Sequence, residues 1–506
     1  MTRSACLEIH QMNVGQGDSI LIINRNLTKV AARITNAINT GKITGSLPSD
    51  PIHYVPYAVL NAVDLEGTIN RALLIDGGDD EYGGDVLNYL KKQGALRTDP
   101  APYCPDLYIL VSHPHDDHMA GLRSVFKQRV ETTVTVGKKK VTKVALEPRF
   151  RPARVYQTSK NKKADPKTYR FAWLEQDVSG AFAAASNNTK RFFIDPGGFM
   201  EGKNDMMTID LGTGVDSIPI KLYVLAAAQG VYSMKGQYTE IPSTAKKVDQ
   251  NDRSIVLILE YGSFRYFLGG DIAGSGLAAG GNTGSNAMNE SKKKAYSVHA
   301  DVESKLGPAL EKFFPATTAW TANEPKYPSA GYSTVMKANH HASSSSVDVY
   351  LLATLRPCVA IVSSGVKSRF HHHPTQEVIN RMNKTATPKW GLRPKGTSKT
   401  DNTIQQVYVT EVAAVGFKVK NKPPYSVDLL GAQILGDIVI RPVDESIKEI
   451  QDSTDGGKQL QVQIYGTGAQ TLLADAAPTN VLRPMETKTG AYGPGYIGPF
   501  YHTDTH

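Results

Sequence analysis

The sequence predicts an α/β protein on two observations. Short apolar runs rich in β-branched residues recur at Ser19 to Ile23, Ala72 to Ile75, Leu107 to Val111, Ile220 to Leu225, Ser254 to Glu260, Phe264 to Leu268 and Val359 to Ser363. Several end directly in Gly, Asp or His, as buried strands delivering functional loops do. Between some of them lie helical patterns, Gly84 to Gly94 and Gly121 to Gln128, the first closing on two lysines before a stop glycine.

Composition sets the outer bounds. The 506 residues correspond to roughly three domain-sized units, or to one enlarged core with an appendage. At 40% hydrophobic and 21% charged residues, the chain is neither disordered nor fibrous. A net charge of +9 favours an anionic partner such as nucleic acid. Cys6, Cys104 and Cys358 are too scattered for a disulfide framework or a paired-cysteine metal knuckle, so a reducing compartment is expected. No apolar run approaches the ~20 residues that span a bilayer, and the N-terminal residues lack a leader's apolar stretch. A soluble, cytoplasmic protein is therefore expected.

Three stretches interrupt the strand pattern: Arg25 to Gly67, Arg123 to about Met207, and Ala273 to about Ser333. The third holds AGSGLAAGGNTGSNAMNESKKK, too polar to bury its own core and expected to be a mobile loop. From about Lys395 the words QQVYVTEV, DIVIRPV and KQLQVQIYG read as strands. The expected organisation is a core domain over residues 1–394 and a β-rich C-terminal region over 395–506, whose last residues from Met485 form a tail or strap.

The chemistry concentrates in LYILVSHPHDDHMAGL, a strand running into His113, His115, Asp117 and His118. Imidazole and carboxylate groups on alternate positions of an extended turn converge on borderline divalent ions, and a helix starting near Met119 would pin the turn. In FLGGDI, Asp271 follows paired glycines that permit close backbone approach, although a plain turn aspartate has the same appearance. In GQGDS, Asp18 either assists substrate, orients a metal-bound group, or belongs to an ordinary β-turn. In HHHP, His373 precedes Pro374 at an expected helix start whose N-terminus would bind phosphate; a solvated histidine run is the alternative. The four serines at 343–346 have no G-x-S-x-G elbow to support serine catalysis.

The HxHxDH spacing after an apolar strand resembles the signature of the metallo-β-lactamase fold. The flanking words HQMNVGQGDSILI, LLIDGG, NDRSIVLILEYGSFRYFLGGDI, KANHHASSSS and VSSGVKSRFHHHPTQEVI resemble one branch of it, the soluble hydrolase domain of the ComEC competence proteins and their stand-alone relatives. The likeness runs to about residue 390, outside the three interruptions. It implies a four-layer αββα sandwich with a metal site for one or two Zn or Mn ions at the edge between two sheets. It also implies Asp76 as a supporting carboxylate, Asp271 as a bridging ligand, and one of His340 and His341 as the late ligand, without choosing between them. One departure is clear: LYVLAAAQG at 222–230 carries no histidine where many such enzymes have one, which leaves the ion bound by His113 and His115 short of a ligand.

The expected function is metal-dependent hydrolysis of a phosphodiester by a metal-activated water, with Asp117 and His118 at the chemistry. Between Arg123 and Arg170 fifteen Lys or Arg stand against three Asp or Glu, a local charge of +12 suited to a phosphate backbone, with Phe150, Tyr156, Tyr169, Phe171 and Trp173 available for stacking. The alternatives are a carbonyl substrate such as a lactone, thioester or β-lactam, and a nucleic-acid-binding scaffold with a structural metal site and further protein partners.

Overall fold

A computed structural model describes residues 5–43, 63–96, 103–136, 139–158, 189–194, 208–232, 238–241, 249–274, 299–314, 331–365, 373–392, 399–413, 426–443, 460–466, 481–482 and 497–504. In chain order the strands begin with β1 (Ala5–Gln11), β2 (Ile20–Asn26), β3 (Ile69–Ile75), β4 (Tyr103–Leu110), β5 (Lys127–Val136), β6 (Lys139–Pro148), β7 (Arg151–Gln157) and β8 (Lys190–Phe193). Then come β9 (Thr208–Thr213), β10 (Pro219–Ala227), β11 (Gly230–Tyr232), β12 (Tyr238–Glu240), β13 (Val256–Tyr261), β14 (Phe264–Leu268), β15 (Val335–Lys337) and β16 (Val359–Val362). The last are β17 (Lys389–Leu392), β18 (Lys399–Asp401), β19 (Gln406–Val409), β20 (Val412–Ala413), β21 (Gln433–Ile434), β22 (Ile438–Pro442), β23 (Leu460–Gly466), β24 (Val481–Leu482) and β25 (Ile497–Asp504). The helices are α1 (Leu27–Asn39), α2 (Gly83–Lys92), α3 (Asp116–Phe126), α4 (Val302–Phe313), α5 (Val349–Leu355) and α6 (Gln376–Met382).

Most strands assemble into two large sheets, one ordered β25-β23-β22-β1-β2-β3-β4-β7-β8 and the other β12-β11-β10-β13-β14-β15-β16-β19-β21, with β9 also on β10. Apolar runs such as Ile20 to Ile23 are buried on both sides, which is why they are continuous rather than alternating. Ile22, Leu73 and Leu110 of the first sheet share one core with Leu222, Leu257 and Ile361 of the second. Leu21, Ile23 and Leu74 point the other way, against Leu90 of α2 and Met119, Leu122 and Phe126 of α3. On the far side of the second sheet, Phe267, Met336 and Ala360 pack with Leu306, Leu352 and Ile379 from α4, α5 and α6. The class is thus mixed α/β built on large sheets, and each buried Leu, Ile, Phe or Met among these stabilises it by about 1.5–3 kcal/mol.

The interruptions contribute more to this core than their composition suggests. Arg25 to Gly67 contains α1, whose Val30, Ile34 and Ala37 pack on Val439 and Tyr465, and 123–207 supplies β7 and β8 to the first sheet. The third stretch supplies α4, whereas nearly all of its Gly- and Ser-rich word lies outside the described residues, as do Tyr169, Phe171 and Trp173. Beyond residue 395, strands β22, β23 and β25 extend the first sheet and β19 and β21 the second, so they continue the core rather than stand beside it. In that junction Glu8, buried on β1, accepts hydrogen bonds from Arg25 Nε at 2.7 Å and from Arg441 of β22. Burial opposes its charge, but Arg25 and Arg441 outweigh burial and hold the carboxyl well below its usual range. Among the described residues, no helix is long and apolar enough to cross a membrane.

Close backbone packing fixes where α3 starts and lies. Gly77 N donates to His118 O at 2.6 Å, Gly121 N donates to Gly78 O at 2.9 Å, and a Cβ on Gly121 would stand 2.0 Å from Gly77 O. The Gly121→Ala variant gains up to about 1 kcal/mol of helix propensity but must push two backbones apart, at a cost of about 1–3 kcal/mol. Net destabilisation is expected in urea unfolding; an unchanged or raised midpoint would show that the loop at 76–78 yields freely.

Candidate metal centre

The parallel strands of both sheets deliver the site at their carboxyl ends, where open α/β sheets commonly bind ligands. β3 runs into Asp76, β4 into Ser112 to His118, β14 into Gly269 to Asp271, and β15 into Asn339 to Ala342. α3 begins at Asp116 with His115 as its N-cap, earlier than the expected start near Met119, so Asp117 and His118 sit in the first helical turn rather than on an extended one. The helix wins because Gly77 and Gly78 bond its first turns directly. Gly17 completes the close approach: a Cβ there would lie 2.3 Å from Asp117 O.

Asp271 is the hub. Its Oδ2 lies 3.2 Å from His118 Nε2, 3.4 Å from His341 Nε2, 3.8 Å from His113 Nε2 and 3.9 Å from His340 Nε2. His341 Nε2 is also 3.7 Å from Asp117 Oδ2. Ligands about 2.1 Å from a tetrahedral ion are separated by about 3.4 Å, so these spacings match a coordination shell. Among the described residues, the close groups of possible ligand atoms are His113/His118/Asp271, Asp117/His118/His341, Asp18/Asp271/His341 and Asp18/Asp76/His118. His115 and His340 stand outside them.

The remaining nitrogens explain how the rings are aimed. His118 Nδ1 meets Asp76 Oδ2 at 2.8 Å, while Asp76 also accepts from Ser112 N at 2.7 Å and Ser112 Oγ at 2.5 Å. His341 Nδ1 meets Ser363 O at 3.0 Å. With both Nδ1 atoms engaged as donors, the Nε2 atoms of His118 and His341 are left buried and without a hydrogen bond, as are Asp271 Oδ1 and Asp18 Oδ1. An unsatisfied buried nitrogen is costly unless something accepts its lone pair, and a divalent ion does so. His340 differs: its Nδ1 is 3.1 Å from Ser343 Oγ and its Nε2 is 3.3 Å from Asn251 Nδ2. The geometry therefore selects His341 of the adjacent pair.

Electrostatics follow this layout. Burial opposes charge on His118, yet Asp271 and Asp76 outweigh it and hold the imidazole well above its usual range; the same surroundings favour any cation at that point. His341 is raised against burial mainly by Asp271, whereas burial and then His118 hold His113 well below the ordinary value. Burial also lowers His115, and it lowers His340 to about 4. Asp271 stays charged despite burial because His118, His341 and His340 surround it.

His340, His341 and Ala342 all take left-handed backbone angles, φ 46°, 51° and 59°. Each such non-glycine residue costs on the order of 1–3 kcal/mol, and the loop is clamped accordingly. His340 N donates to Gly270 O at 3.0 Å, and Glu303 accepts from Asn339 Nδ2, Val347 N and Asp348 N, each at 2.7 Å.

Asp18, expected to assist substrate or orient a metal-bound group, is 2% exposed, pairs with the buried Lys337 and belongs to two of the close groups of possible ligand atoms. Lys337 Nζ is also 3.9 Å from Asp271 Oδ1. His373 flanks the site, its ring 5.7 Å from that of His340; His371 and His372 lie outside the described residues. Pro374 precedes the N-cap Thr375 instead of occupying the first helical turn, because α6 starts only at Gln376. At the end of β10, Ala226 and Ala227 are buried and Gln229 bonds Ile241 O, so no imidazole enters from that strand.

Sequence reading missed Ser112, Glu303, Lys337 and the pair Asp252 and His299. For Lys337 a signal existed, a lone lysine at the end of an apolar strand and two residues before the histidine pair's asparagine. No family model matches the chain, and no curated protein matches it.

Proposed function

We propose that the protein is a metal-dependent hydrolase, most simply a phosphodiesterase, of metallo-β-lactamase type and akin to the ComEC-like branch, with helices outside two facing sheets. The observation that carries the reading is the pair of buried, unbonded Nε2 atoms of His118 and His341 facing Asp271. His118, His341, Asp117 and Asp271 would hold one Zn or Mn ion, and His113 with Asp271 and His115 a second, weaker one. Such an ion supplies Lewis acidity, lowering the pKa of water and offsetting charge on the substrate.

The chain's own groups do the rest. Asp117 is 18% exposed, whereas His118, Asp271 and His341 are buried, and it would orient a water and take its proton. Lys337 pairs with Asp18 and lies 3.9 Å from Asp271 Oδ1, so its positive charge offsets part of the negative charge gathered in the site. A phosphodiester is favoured by the basic run of 123–170, part of which forms the β5–β6 hairpin with Lys140 and Lys143 exposed directly after α3.

The test is cleavage of labelled single- and double-stranded DNA and RNA by metal-stripped protein resupplied with Mn, Zn or Mg. Metal-dependent cleavage is expected, with Asp117→Ala and His118→Ala each reducing it by a factor on the order of 10²–10⁴. Metal-loaded, folded protein that cleaves none of the four would overturn the phosphodiester assignment and leave a carbonyl substrate or a scaffold.

A further inference from the structure

Beside the metal ligands stands a carboxylate–histidine pair that the hydrolytic site does not yet use. Asp252 lies in the turn Asn251–Arg253 just before β13, and its side chain is fully buried. Its Oδ2 accepts from Ala300 N at 2.8 Å and its Oδ1 faces His299 Nδ1 at 3.3 Å, so one carboxylate clamps both the backbone and the ring of the same segment. The His299 ring stands edge-on to His340, with centroids 6.1 Å apart, and His340 Nε2 in turn is 3.9 Å from Asp271 Oδ2. His299 is 15% exposed, outside the close ligand groups, and its Nε2 has no hydrogen-bond partner among the described residues. The charged and titratable groups facing it are Asp252, Asp249 at 4.0 Å, His340 and, farther in, Asp271.

We propose that Asp252 and His299 form a proton-donating dyad for the leaving group, His299 as the catalytic acid and Asp252 as the residue that positions it. A carboxylate on Nδ1 fixes the tautomer and leaves Nε2 as the nitrogen that exchanges its proton with substrate. The dyad rests on the phosphodiester reading and narrows it to esters whose leaving group is a poor one, an alkoxide. The oxygen of water bonds to phosphorus as the bond from phosphorus to the leaving oxygen breaks. The electron pair of that bond stays on the leaving oxygen, which takes the Nε2 proton of His299, while the proton of the attacking water passes to Asp117. The products are a phosphomonoester and an alcohol, and solvent returns the proton from Asp117 to His299.

Two esters separate this role from the others. Full-length protein, His299→Gln and Asp252→Asn are compared on a dinucleotide, whose leaving group is an alkoxide, and on bis(p-nitrophenyl) phosphate, whose nitrophenolate needs no proton, with bound metal measured for each. Both variants should lose about 100-fold in kcat on the dinucleotide, remain nearly unchanged on the nitrophenyl ester, and retain full metal content. Equal losses on both esters would overturn the dyad in favour of substrate positioning, and loss of metal would overturn it in favour of ligation. Wild-type protein that hydrolyses neither ester would overturn the phosphodiester reading itself, and the dyad with it.

Discussion

Replacing Asp271 with alanine is expected to remove metal binding and activity together. Its Oδ2 lies within 3.9 Å of four imidazole nitrogens, and Asp271 belongs to both groups that would define separate ion positions with His113 and His341. Without it, His113 and His341 lose the carboxylate they share among the described residues, and His118 and His341 lose the partner that most raises their affinity for positive charge. Altering even a residue behind a ligand typically weakens metal affinity by 10–100-fold, so loss of the hub should exceed about 100-fold for Zn or Mn by calorimetry. Asp271→Asn keeps the volume and one acceptor oxygen but removes the negative charge, and should fall between. A variant that binds either ion as tightly as wild type would move the metal centre away from Asp271.

The second large effect concerns pH and stability rather than chemistry. Glu303 and Asp348 are both buried, and their carboxylate oxygens converge on the same point, 2.5 and 2.7 Å from where a Cβ on Gly274 would be. Burial, and then Asp348, push the Glu303 carboxyl up to about 8; burial and Asp301 push Asp348 up to about 6. An unfolded glutamate releases its proton near 4.3, so between about pH 4.3 and pH 8 the folded state binds more protons than the unfolded one. Stability contributed by this pair is therefore fully present at the acid end of that window and declines as pH rises through about 8.

Glu303→Gln carries no titratable proton but keeps an acceptor for Asn339 and Val347. It gives up the bond to Asp348 N, so it should be less stable than wild type near pH 5, by about 1 kcal/mol, and show a much shallower fall toward pH 8. Denaturant unfolding at several pH values checks this. An identical slope in the two proteins would assign the pH dependence to other groups. Because Glu303 bonds Asn339 and both backbone groups at 347–348, a Glu303→Ala variant should also loosen the loop that presents His341.

The readable parts of the site were the local ones. HxHxDH is legible because four residues within six positions, behind an apolar strand, have few other uses. Asp76 and Asp271 were legible through the strands and glycines that carry them. The choice of His341 over His340 was not, since two adjacent imidazoles are equivalent in sequence and differ only in that one meets Ser363 O and the other Ser343 and Asn251. For Asp18 the loop's place near the site is legible, but its ion partner Lys337 is not, because it lies 319 positions away.

By itself, then, the sequence determined the class of the core and the chemistry of its loops. The apolar runs set strands by their burial, and residue type alone makes imidazole and carboxylate into metal donors. Tertiary structure decided everything that depends on pairing across the chain. It placed β22, β23 and β25 on the edge beside β1, where Ile9 meets Ile440 and Glu8 meets Arg441, because an edge strand accepts any partner whose register buries its apolar face. It gathered Asp117, His118, Asp271 and His341 from three loops, with Lys337 and Asp76 behind them, because buried charges persist only where other charges and hydrogen bonds close around them. Those partners come from distant strands, and no local pattern announces them.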